Sequence, residues 1–290
     1  DESQRQACVL SADDVETFPN EKGGHQAADI ALSPGDQDAH APTRPSTEIR
    51  RREPSLDRTV GTGFFFPREG QVDNVALMRA LARACRRAGV RLWERTTVKG
   101  LVVSRRAVRG VQTSRGMITT PVVVNCLGSW ANLDGRFPVR IPVVTARGQM
   151  LAFRGPKRLF RRAVMSERAY VVQRRDGRLL VGSTVEFAGF DRSLTVEGIS
   201  GILSGIRRIT TALSRCTFTD AWTGFRPCPK DRQPILGPTS IHGLYAATGH
   251  FRHGILLAPI TAALLAELIM GRQPAFDLSS FDPARFDRLG

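Results

Sequence analysis

At 290 residues, with 41% apolar and 24% charged side chains, the chain can bury the core of one large or two modest domains, so a packed globular protein is expected. Its net charge of +15 is uneven: residues 1–49 hold ten acids against three bases, leaving 39 bases against 17 acids, and since no aromatics interleave with the basic runs no specific nucleic-acid partner is expected. Cys8, Cys85, Cys126, Cys216 and Cys228 form an odd set with no Cys-x-x-Cys pair and no His at ligand spacing, which argues against a metal site or a disulfide framework and for a reducing, cytoplasmic setting.

Residues 1–52 open polar and acidic, with no basic-then-apolar leader, so secretion is not expected. They carry few aliphatics and no sustained period, which predicts a disordered or weakly docked tail. From Gly61 the texture changes, and GTGFFFP reads as a short buried strand. In DNVALMRALARACRRAGV, Val75, Met78, Leu81, Ala82 and Cys85 share one helical face, with Asp73 or Asn74 as N-cap and Gly89 as C-cap. Three strands are predicted next, in RLWERTTVKGLVV, AVRGVQTSR and MITTPVVVNCLG, the last ending at Gly128. After VRIPVVTARGQMLAF, the strands AYVVQRR and GRLLVGSTV are joined by the turn Arg175-Asp176-Gly177, and a helix is expected over 194–214. HGLYAATGH reads as a buried strand that runs through a Gly-bounded loop into a helix over 254–270. The apolar run 255–270 contains Pro259 and Glu267 and is shorter than the roughly 20 residues of a bilayer span, so a buried helix and no membrane partner are expected. The whole reads as an α/β chain with an α+β mixture, two interleaved domains plus a tail.

Neither paired carboxylates, a Ser-His-Asp order nor a nucleophilic Cys setting is apparent. The junction GHFRHGILLAP leaves the first N–H groups of a helix unpaired at its positive end, a seat for negative charge or, on the plainer reading, a Gly hinge before a buried helix. Arg226, between Phe225 and Pro227 and close to Trp222, sits in an apolar setting where a guanidinium needs a carboxylate, supplied by a substrate or by the chain itself. Tyr170 alone reads as a half-buried strand residue.

Taken together, Pro67–Asn74, Arg147-Gly-Gln-Met150, Trp222-Thr-Gly-Phe-Arg-Pro227 and the segment from Thr248 to Pro259 resemble the glycine oxidase type of the D-amino-acid oxidase superfamily. Tyr170, Asp176-Gly177, Pro234–Pro238 and Phe281–Phe286 frame the likeness, which runs from about Glu53 to Phe286. It implies an incomplete FAD-binding, Rossmann-like domain at 53–137 and 233–290, interleaved with an antiparallel-sheet substrate domain at 138–232. It further implies noncovalent FAD and oxidative deamination of glycine or small amino acids, by hydride transfer from the α-carbon to the flavin, giving imine and peroxide in connection with thiamine biosynthesis. By the same resemblance Tyr170, Arg226 and Arg252 are the catalytic, substrate-binding set. The cofactor would meet Val98, Gly128, Gly249, His250, Phe251, Arg252, His253, Gly254, Ile255 and Leu256, with Val124 beneath it, and a homo-oligomer is expected by analogy.

The sequence departs from that pattern in several places. The family's opening strand, G-x-G-x-x-G loop and helix are not found, and Gly23-Gly24 follow no apolar strand. Thr223, His253, Gln173 and Asn125-Cys126-Leu127 stand where the family has Ala, Asn, Pro and small residues. Two rival readings therefore stand beside the leading one: a catalytically inactive truncated remnant, and another amine oxidase or dehydrogenase of the superfamily acting on sarcosine or D-amino acids.

Overall fold

The computed structural model describes residues 7–11, 43–66, 70–132, 137–155 and 158–286. Gly23-Gly24 and residues 67–69 of the motif that ends at Asn74 lie outside the described residues. In chain order the elements are β1 (Ala7–Ser11), β2 (Thr43–Pro45), α1 (Ser46–Arg52), β3 (Thr62–Phe64), α2 (Asn74–Arg87), β4 (Val98–Ser104), β5 (Ala107–Thr113), β6 (Gly116–Thr119) and β7 (Val122–Cys126). They continue with β8 (Val143–Arg154), β9 (Val164–Met165), β10 (Tyr170–Gln173), β11 (Arg178–Gly182), α3 (Val196–Arg207), β12 (Thr217–Pro229), β13 (Ile235–Pro238), β14 (Leu244–Thr248) and α4 (Gly254–Ile269). The result is the mixed α/β architecture expected, with parallel and antiparallel sheets.

Two compact units share these elements, the first formed by residues 1–25, 79–146 and 226–290, the second by 26–78 and 147–225. In the first unit a sheet of order β1-β7-β14-β13 has its first three strands parallel, and β4-β5-β6 form a separate antiparallel meander. A cluster built on Val108, Val111, Val123, Leu127 and Leu244 ties the meander to β7 and β14. The second unit is built on the antiparallel sheet β12-β8-β11-β10-β9, whose one face packs Leu151, Phe153, Val171 and Val181 against Ile202 and Ile206 of α3. The Asp176 turn joins β10 to β11 as expected, with Asp176 Oδ1 accepting the Arg178 N–H at 3.1 Å.

Local signals placed the ends of α2 well, whereas the helix expected over 194–214 stops at Arg207 and a separate 3-10 turn follows at Ala212–Arg215. Asp73 caps α2 by accepting the Ala76 N–H at 3.0 Å, and at the other end the Gly89 and Val90 N–H groups close on Arg86 and Cys85. Thr195 caps α3 through the Gly198 N–H.

Several expectations require correction. The expected tail contains structure, because Ala7–Ser11 pairs in parallel with Val122–Cys126 of β7, and residues 43–52 form β2 and α1. Ile49 of α1 and Leu56 pack into the core of the second unit, which draws 43–66 there. The Phe run is not a buried strand: Phe64 is 61% exposed, and Phe65 is covered instead by the guanidinium of Arg52 at 4.1 Å. The apolar face assigned to α2 is half-covered at best, with Met78 and Leu81 exposed and only Asn74 of the helix buried.

Residues 91–97 are not strand, so the strand expected in RLWERTTVKGLVV begins only at Val98, as β4, and the third predicted strand divides into β6 and β7 at Thr120-Pro121. Proline has no N–H to continue the β5–β6 ladder, so the chain leaves the meander there and joins the parallel sheet. Finally, α4 buries only Thr261, Leu264 and Leu265, because a helix apolar on every side offers more surface than a single sheet contact covers, and Leu256 is 58% exposed. Among the described residues no helix is long and apolar enough to cross a membrane.

Candidate functional site

In the first unit β7 and β14 run parallel, so their carboxyl ends meet at one edge, the place where open α/β sheets bind ligands. Thr248 Oγ1 donates to the Gly128 carbonyl at 3.1 Å and fastens the two strand ends together. After β7, fully buried Asn125 shapes the turn through residue 131, donating to the Ala131 carbonyl at 2.8 Å and accepting the Leu127 N–H at 3.1 Å. Ser129, inside that turn, is buried, and its Oγ has no hydrogen-bond partner among the described residues.

After β14 the chain enters the Gly249 loop. Gly249 has φ +78°, and a Cβ there would approach Pro229 Cγ to 2.6 Å, so the close crossing of the two segments requires glycine. The Phe251 N–H donates to the Pro227 carbonyl at 3.0 Å, strapping the loop to the end of β12. Arg226 and Arg252 each stand one residue from that strap, so the structure brings these two expected arginines onto adjoining segments of one unit. The Nε of Arg252 is buried without a partner.

His250 makes one side-chain bond, Nε2 to Thr261 Oγ1 at 3.0 Å, which ties the loop to the helix that follows it. Burial pushes its imidazole down to about 4, so it is neutral near pH 7 and only a weak proton acceptor. His253 is also pushed down, by burial and by the charge of Arg252. The helix itself starts at Gly254 with no side-chain cap, leaving Gly254, Ile255 and Leu256 at its positive N-terminal end. Cys126, at the end of β7, has its thiol raised to about 11 by burial and is no nucleophile.

The remaining expected residues fall elsewhere. Val98 packs against the Val108 cluster, and Val124 is buried in β7. Tyr170 lies in the second unit, on β10, 8% exposed, with its hydroxyl 3.1 Å from Met150 Sδ and Trp222 packed on the same cluster. The indole Nε1 of Trp222 is buried and unpartnered.

Sequence reasoning missed Ser129, Thr261 and the Pro227–Pro229 strap. Only Pro227, inside a quoted motif, carried any signal; Ser129 and Thr261 are ordinary polar residues whose roles depend on what lies across the fold.

A cofactor with a polar, anionic edge suits what the first unit presents. An unpartnered hydroxyl, an unpartnered guanidinium nitrogen and an uncapped helix start gather around the carboxyl ends of two parallel strands, and buried polar atoms are rarely left so without a ligand or water to meet them. The residues present therefore fit FAD at this edge.

Comparison with known proteins agrees with that fit. The family model described as FAD dependent oxidoreductase matches residues 16–268. The bifunctional protein ThiO/ThiG of Trichormus variabilis is 38% identical over 83% of this chain, and the chain spans 37% of that relative's length. The glycine oxidase of Pseudomonas aeruginosa is 34% identical over 83% of the chain and is itself covered to 69%. Among solved structures, glycine oxidase from Geobacillus kaustophilus superposes with a TM-score of 0.78 at 30% identity, covering 86% of this chain and 68% of that one.

Proposed function

The chain belongs to the family of FAD-dependent oxidoreductases, and from that premise we propose that it oxidises glycine or another small amino acid, with FAD held noncovalently at the edge formed by β7, β14 and α4. The observation that carries this reading is the pairing of Arg226 with Arg252 on strapped segments beside an uncapped helix start. Two arginines on neighbouring segments are the donors such a reading needs for a substrate carboxylate, and a forked grip would orient the rest of a small substrate.

When bound, FAD supplies the acceptor for the hydride that leaves the substrate α-carbon. The chain's own residues then have four tasks. Arg226 and Arg252 grip the carboxylate, and Tyr170 is assigned a hydroxyl-donor role towards the same anion on the strength of the family resemblance alone. The first-turn N–H groups of α4 stabilise negative charge that develops next to them. Ser129 offers its unpartnered hydroxyl as a hydrogen bond. His250, tied to Thr261 and made a weak base by burial, holds the loop in place. With FAD bound, the amino acid would lose a hydride from its α-carbon and a proton from its nitrogen and leave as an imino acid, which water hydrolyses to the oxo acid and ammonia, while oxygen takes up the equivalent of that hydride and proton as hydrogen peroxide.

A link to thiamine biosynthesis, a homo-oligomer and a reducing, cytoplasmic setting belong to the same reading. The last rests on the odd number of cysteines and the lack of any Cys-x-x-Cys pair in the sequence.

The test is direct. Purified protein incubated with excess FAD and then desalted should retain the two flavin bands between about 370 and 450 nm, and should release peroxide with glycine. Colourless protein that yields no peroxide with any small amino acid refutes the proposal.

A further inference from the structure

The second unit holds a polar cluster that the proposed chemistry does not use. Arg147, on β8, has a side chain only 5% exposed, and its guanidinium is shared among three residues of the segment 183–195. Nε donates to Glu186 Oε2 at 2.9 Å, Nη2 also meets that carboxylate, and Nη1 donates to Asp191 and, at 3.0 Å, to Ser193 Oγ. The backbones of Arg147 and Glu186 bond to each other in both directions, at 2.7 and 2.9 Å.

Fully buried Gln149, two residues on, completes the hold. Its backbone N–H donates to Thr184 Oγ1 at 2.9 Å, Nε2 donates to Glu186 at 2.8 Å and to Thr195 Oγ1 at 2.9 Å, and Oε1 accepts the Thr195 N–H at 3.0 Å. Two residues of one strand thus fix five positions of a loop, four through their side chains and Thr184 through the Gln149 backbone. Gln149 in turn fits against Gly198 of α3, where a Cβ would come within 2.2 Å of its Nε2.

The fixed loop bears on β12. Phe190 packs edge-on against Phe225 with ring centroids 5.5 Å apart, the Arg192 guanidinium lies over the same ring at 5.3 Å, and Thr223 Oγ1 donates to the Arg192 carbonyl at 3.2 Å. Phe225 is the residue immediately before Arg226.

We propose that Arg147 and Gln149 are positioning residues: by locking the loop 183–195 they set Phe225, and through it the direction in which Arg226 presents its guanidinium. The inference rests on Arg226 holding a substrate carboxylate, but its structural half is measurable without turnover.

The experiment compares the full chain with Arg147→Lys, Phe190→Ala and Arg192→Ala, the last two being changes that leave the clamp intact and remove only its contact with Phe225. Backbone hydrogen exchange over residues 222–226 should speed up roughly tenfold in all three, in keeping with loss of local protection. In the active holoenzyme KM for glycine should rise about tenfold with kcat within about twofold, the mark of weakened ground-state binding. Combined with Arg226→Lys, each variant should cost less than the sum of the single effects, because they act through one group. Unchanged exchange at 222–226, or strict additivity with Arg226→Lys, overturns the proposal. If exchange responds as expected while the wild type binds flavin and oxidises no amino acid, it is the oxidase reading that has failed.

Discussion

The polar interior of this protein is organised in two opposite ways. In the second unit, Arg147, Gln149, Glu186, Asp191 and Thr195 satisfy one another, donor against acceptor. At the β7–β14 edge of the first unit, Ser129 Oγ and Arg252 Nε are buried without partners and α4 begins uncapped. A cluster that closes on itself spends its hydrogen bonds on holding the chain, whereas one left open keeps its donors for something outside the chain.

The largest expected effect breaks the closed cluster. Arg147→Ala should lower stability by about 3 kcal/mol in urea unfolding, since it leaves Glu186 and Asp191 facing each other without their cation. An effect below about 1 kcal/mol would mean the cluster is not the lock described here.

At the proposed substrate site, Arg226→Lys exchanges a forked donor for a point charge and should raise KM for glycine about thirtyfold, near 2 kcal/mol. Steady-state kinetics on the flavin-loaded protein give the answer.

Acid should separate the two regions. His250 titrates at about 4 when folded against 6.5 in the free side chain, so the unfolded chain takes up the proton first. Its contribution is complete above pH 6.5 and is lost as pH falls towards 4. Glu186 is opposed by burial, yet hydrogen bonds from Thr184, Arg147 and Gln149 hold its pKa below the ordinary 4.5, so the stability it lends is present above pH 4.5 and fades only as pH falls below that. Melting temperature measured from pH 7 downwards should fall first in the His250 window, and His250→Asn should flatten that part of the curve while leaving the steeper acid limb.

The smallest effect sharpens the contrast most. Ser129→Ala removes a hydroxyl with no protein partner, so unfolding should change by less than about 0.5 kcal/mol, while FAD binds several-fold more weakly in equilibrium titration. Equal affinity for FAD would show that the hydroxyl is idle.

Much of the local structure was legible from the chain alone. Asp73 and Gly89 mark the ends of α2, Asp176-Gly177 marks the β10–β11 turn, and the spacing around Gly249 marks the strand-loop-helix junction, because caps and turns are settled by residues within about four positions of each other. The motifs holding Arg226 and Arg252 were legible for the same reason, each being a short contiguous string, and they identified the family.

Coverage and partnership were decided only by the tertiary structure. Phe64, Met78, Leu81 and Leu256 have the periodicity of buried residues but remain exposed, since whether an apolar face is covered depends on a neighbouring layer that no local pattern specifies. The pairing of Ala7–Ser11 with β7, and the departure of β7 from the meander at Pro121, depend on strands more than a hundred residues apart or on a ladder bond that cannot form. Arg147 meets Glu186 and Asp191 across 39 and 44 residues, and Thr248 reaches Gly128 across 120, so which polar atoms end up satisfied and which stay open is a product of chain closure. Sequence alone determined the local elements and the family; the fold decided which side chains hold the protein together and which remain free for a ligand, because that choice is made between segments that only folding brings into contact.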